Sequence, residues 1–61
     1  MKLLKFTGDD RHPVYVNPRY IVAMERRPYG GTKILLEGIT EYVKEDLNVV
    51  SLAVDLEGTT A

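Results

Sequence analysis

The sequence predicts an α+β domain: an antiparallel sheet of four to five short strands with one C-terminal helix. Three observations carry that prediction. Short runs of alternating apolar and polar residues recur as far as Val43. Turn-forming clusters separate them at Gly8–Pro13, Asn17-Pro18, Pro28–Gly31 and Gly38. After Glu45 the apolar period changes from two residues to that of a helix.

The first run, Lys2–Thr7, places Leu4 and Phe6 on one face and Leu3 and Lys5 on the other. Gly8–Pro13 turns the chain. Val14–Val16 is β-branched and aromatic, hence a second short strand. Asn17-Pro18 ends it, because proline has no N–H to give to a ladder and constrains the residue before it. Tyr20–Arg27 reads as the third strand. Regular alternation puts Tyr20, Val22 and Met24 on one face, and Ile21, Ala23 and Glu25 on the other. Thr32–Glu37 is the fourth strand with Ile34 and Leu36 inward, and Ile39–Val43 the fifth, joined through Gly38.

The helix is expected over Leu47–Leu56, with Asp46 placed to cap it, Glu45 and Asp46 suited to its positive end, and Gly58 as its stop. At about 100° per residue, Asn48, Ser51 and Asp55 occupy one narrow arc and apolar residues fill the rest. That apolar stripe is wider than one small sheet can cover. Residues 1–58 form one small domain, and 59–61 a frayed tail.

Composition narrows the classes. With 61 residues and no cysteine, the chain has no disulfides, and its single histidine leaves too few ligands for a structural zinc. A domain this small is marginally stable, so association with another chain is the remaining reinforcement. Met1–Lys5 does not read as a signal peptide, and no apolar run approaches the length of a membrane span. The expected location is the cytoplasm. Net charge is −1 but unevenly spread. Residues 1–33 hold seven Lys and Arg against three Asp and Glu, a net +4; residues 34–61 hold one against six, a net −5. Such a division fits mutual attraction of the two halves, within one chain or across a dimer, better than a polyanion surface.

Candidate chemistry is sparse. The only serine, Ser51, falls in the helix, and no cysteine is available, so a nucleophile with an adjacent base cannot readily be assembled. Asp9, Asp10 and His12 read as an ordinary solvated turn, not as a metal site. Glu41, Glu45 and Asp46 read as surface charge and helix capping, not as an acid–base pair. No catalytic residue, cofactor or metal is therefore expected. The stretch Arg26-Arg27-Pro28-Tyr29-Gly30-Gly31 resembles an anion-binding loop, yet it leads into a strand and not into a helix. It is better explained as a hairpin: Pro28 presets φ for the first central position of a type I turn, and a glycine supplies the left-handed residue. A nucleic-acid-binding module remains the competing reading, with Arg19, Arg26, Arg27 and Lys33 on phosphates and Tyr15, Tyr20 or Tyr29 stacking on bases. The acidic pI and the absence of a known motif argue against it. The plainer expectation is that these charges pair with the acidic half.

The succession Lys2–Gly8, Val14–Pro18, Ile21–Glu25, Thr32–Gly38 and Tyr42–Glu45 resembles the FlbD-like bacterial family associated with flagellar operons. The likeness spans about residues 2–56. It departs where Glu37-Gly38 replaces Asn-Gly, where Asp46 stands for a capping serine, and where the Pro28–Gly31 turn is longer. The resemblance implies a small sheet with a C-terminal helix, a flagellar association and no catalytic residue; an accessory protein of a phage or mobile element is the remote alternative for the same shape. The resulting expectation is a non-enzymatic interaction or regulatory protein acting as a homo-oligomer. Its expected seam is Val49, Leu52, Ala53 and Leu56.

Overall fold

A computed structural model of the chain describes residues 3–58. Lys2 and the tail 59–61 lie outside the described residues. The elements are β1 (Leu4–Thr7), β2 (Pro13–Val16), a 3-10 turn (Pro18–Tyr20), β3 (Ile21–Arg26), β4 (Thr32–Leu36), β5 (Ile39–Val43) and α1 (Leu47–Gly58). The α+β class, the antiparallel pairing and the single C-terminal helix are as expected. The five strands divide into two sheets, an antiparallel β1–β2 hairpin and a three-stranded β3–β4–β5 meander.

One seam joins the sheets. Gly8 bridges Val43, and the Lys44 N–H donates to the Thr7 carbonyl at 2.7 Å. The Thr7 N–H donates in turn to both carboxylate oxygens of Glu45, at 2.9 and 3.0 Å. Glu45 therefore does not serve as surface charge at the helix dipole. It closes the end of β1 where the ladder has no further backbone acceptor. Its carbonyl is also used, accepting from the Thr32 hydroxyl at 2.8 Å. Thr32 is fully buried, and this bond supplies the partner that its hydroxyl requires.

The core draws one residue from each of five elements: Phe6 (β1), Val16 (β2), Ile34 (β4), Val43 (β5) and Val50 (α1). Leu4, Val14, Leu36, Ala53 and Val54 pack around them. Strand β3 contributes both Ile21 and Met24, which regular alternation would send to opposite faces. A register irregularity resolves the conflict. Ile21 opposes Leu36 while Ala23 opposes Leu35, so Val22 is an extra residue without a partner on β4. The bulge resets the alternation, turning Ile21 and Met24 to the core and leaving Val22 exposed. The expected grouping of Val22 with Met24 is thus corrected.

Tyr20 also departs from expectation, lying in the 3-10 turn and not in β3. Asn17 starts that turn: its side chain accepts from the Arg19 N–H at 3.0 Å, and its carbonyl from the Tyr20 N–H at 3.0 Å. At the start of α1, the Asp46 carbonyl accepts from the Val50 N–H at 3.0 Å, which is the N-cap position expected of it. Among the described residues, no helix is long and apolar enough to cross a membrane.

Candidate functional surface

The hairpin between β3 and β4 is the stretch that most resembles a site. Its backbone is a tight turn: the Gly30 N–H donates to the Arg27 carbonyl at 3.2 Å, and the Arg27 N–H to the Gly31 carbonyl at 3.1 Å. Pro28 holds the first central position, and Gly30 and Gly31 take φ of 101° and 87°. Gly31 is required for a second reason, since a Cβ there would overlap the Val43 carbonyl oxygen. Tyr29 is left wholly exposed at the tip. At the Glu37-Gly38 turn only Gly38 takes a positive φ, 79°, so the first position tolerates glutamate where a type I′ turn would not.

Regular alternation sends Arg26 and Arg27 to opposite faces, and their environments do differ. Arg27 donates to Asp9 at 2.8 Å, and its guanidinium carbon lies 4.9 Å from the centre of the Tyr42 ring. The hydrogen bond from Arg27, then the charges of Arg27 and Lys44, hold the Asp9 carboxyl below its ordinary 3.8. Asp9 in turn raises the pKa of Arg27 through the same hydrogen bond. An open cleft of about 370 Å³ beside this pair is lined by Asp9, Arg27, Tyr29, Gly31, Lys44 and Asp46, two cations and two carboxylates among them.

Lys33 lies 3.9 Å from Glu25, its partner across the β3–β4 ladder. His12 lies 2.8 Å from Asp10, and the Asp10 side chain also accepts from the His12 backbone N–H at 3.1 Å. These hydrogen bonds from His12 lower the Asp10 pKa. Among the described residues no group of three His, Cys, Asp or Glu could hold a metal.

Among the described residues, Arg27 and Lys33 thus pair with carboxylates of their own half of the chain, Asp9 and Glu25, where pairing with the acidic half was expected. The reason is topological. Hairpin pairing sets Glu25 opposite Lys33, and the bridge at Gly8 carries the 8–13 loop to the Arg27 end of the meander. Among the described residues, Arg19 and Arg26 form no ion pair, and both are exposed. The four basic residues of the nucleic-acid reading are thus two engaged and two open.

The helix presents a different surface. Val50 is fully buried, and Val54 and Ala53 pack on the core. Val49, Leu52 and Leu56 are 53, 61 and 64% exposed. At about 100° per residue these three share an arc of roughly 60°, and Ala53 borders it on the side of the core. The expected seam of Val49, Leu52, Ala53 and Leu56 is therefore contiguous, with Ala53 at its inner margin. Sequence reasoning did not mark Tyr20 and Val22 as a surface, because the bulge that exposes Val22 has no signature in a run of apolar residues.

Comparison of the chain with family models, curated proteins and solved structures finds no match.

Proposed function

We propose that the chain is a small non-enzymatic interaction or regulatory protein of the cytoplasm that works as a homo-oligomer through the outer face of α1. The observation that carries this reading is the stripe of Val49, Leu52 and Leu56, three aliphatic side chains more than half exposed on one helix. Leaving them in water forgoes roughly 1–2 kcal/mol for each of these half-exposed side chains that a partner could bury. Among the described residues the fully buried apolar core is only five residues, so that is a large fraction of the available driving force. The flagellar association implied by the family resemblance, or a mobile-element setting, would supply a context for the oligomer and changes none of its residues.

Sedimentation equilibrium at micromolar concentration tests the reading. The expected result is an oligomer, with Leu52→Glu raising its dissociation constant at least about tenfold. Because Leu52 is exposed, the thermal stability of the variant protomer should change by no more than ~0.5 kcal/mol. A wild-type chain that sediments as a monomer overturns the proposal. The nucleic-acid alternative is the weaker one, since Arg27 and Lys33 already face carboxylates. It predicts salt-sensitive binding to mixed oligonucleotides at low ionic strength, which the oligomer reading does not.

A further inference from the structure

We infer that the stripe on α1 docks on the Tyr20–Val22 surface of a second copy, flanked by Arg19, and not on the second copy's α1. The inference rests on the oligomer reading above and names the surface the stripe meets.

The first argument is area. Three aliphatic side chains a little over half exposed offer on the order of 300 Å². A stable interface needs about 800 Å² from each partner. A stripe-to-stripe contact is therefore too small alone, and the interface must recruit apolar surface outside the helix. Tyr20 and Val22 are 52 and 68% exposed, and they sit in the two elements against which α1 lies, the 3-10 turn and β3. Using both surfaces roughly doubles the apolar area, and a polar rim brings it to the required size.

The second argument is charge. From Asp46 to Gly58 the chain carries Asp46, Asp55 and Glu57 and no Lys, Arg or His. Two such helices face to face set one acidic segment against another. The 3-10 turn supplies the complement: Arg19 is exposed and forms no ion pair among the described residues. Docking α1 on this surface sets the acidic half of one copy against the basic half of the other. Each copy carries both surfaces, so the contact is made between unlike surfaces of two identical chains.

The absence of cysteine gives a clean test. Val22→Cys and Leu52→Cys are made as separate full-length chains tagged to differ in mass, both at exposed positions. They are treated singly and mixed with a short bismaleimide. The expected result is cross-linking mainly in the mixture, one Val22→Cys chain joined to one Leu52→Cys chain. Predominant linkage of Leu52→Cys to itself overturns the inference while leaving the oligomer reading intact. A monomer in sedimentation overturns both. In parallel, Arg19→Glu should raise the dimer dissociation constant at least about tenfold at low salt, and the wild-type dimer should weaken as salt rises. A dimer indifferent to both changes overturns the inference, as does oligonucleotide binding through Arg19 by an undimerised chain.

Discussion

The hairpin end of the molecule and the outer face of α1 treat their unusual residues in opposite ways. The hairpin gathers arginines, an aromatic and two glycines, yet Arg27 is held by Asp9 and Tyr42, and Gly31 lies against β5. The outer face of the helix gathers only aliphatic residues, yet Val49, Leu52 and Leu56 each stay more than half exposed. Residues with chemical character are mostly spent inside the fold, and residues without it are left over. In a small domain, what remains unsatisfied is a better guide to function than what looks reactive.

The largest way to break this contrast is at Gly31. Gly31→Ala should cost about 3 kcal/mol or more, combining a left-handed backbone with direct overlap on the Val43 carbonyl. Gly30→Ala should cost only about 1 kcal/mol, since its φ is equally unfavourable but a Cβ there meets nothing within 4 Å. Urea denaturation of both variants checks the difference. Equal losses would mean that the hairpin does not pack on β5.

A smaller effect is expected at Thr32. Thr32→Val keeps the shape and removes the hydroxyl that bonds the Glu45 carbonyl, costing about 1–2 kcal/mol. The measurement is again the denaturation midpoint, and an unchanged midpoint would show that this carbonyl finds another donor.

The smallest effect concerns Asp9. Its folded pKa lies below the ordinary 3.8 because of Arg27, so its contribution is present above that pH and is lost as the pH falls through the folded value. Asp9→Asn should therefore lose stability less steeply than wild type below about pH 4. Because the pair is exposed, the difference should be modest and should shrink in salt. Superimposable acid limbs would show that the Arg27–Asp9 contact adds nothing to folding.

Most of the fold was legible from the sequence because it depends on local pattern. The alternation of Thr32–Leu36, the turn residues Pro28 and Gly38, and the helical period after Leu47 each announce their element. What could not be read depends on distant residues. The bulge at Val22 is invisible because Ile21 and Val22 are equally apolar, and only the pairing with Leu36 and Leu35 decides which one faces the core. Glu45 looked like a helix-end charge because its acceptor role needs Thr7, far away in the chain. The partner of Arg27 was misassigned for the same reason, since the bridge at Gly8 brings Asp9 to it. The exposed stripe of Val49, Leu52 and Leu56 was legible because amphipathic excess is a property of one segment.

The contact between Thr7 and Glu45 spans 38 residues. It bears on how the chain comes together in time. Closing a loop of that length costs on the order of 3 kcal/mol in chain entropy beyond a constant. The β1–β2 hairpin and the β3–β5 meander need only short loops. The natural sequence of events is two locally formed pieces followed by their docking, with the carboxylate of Glu45 fastening a seam that neither piece can make alone.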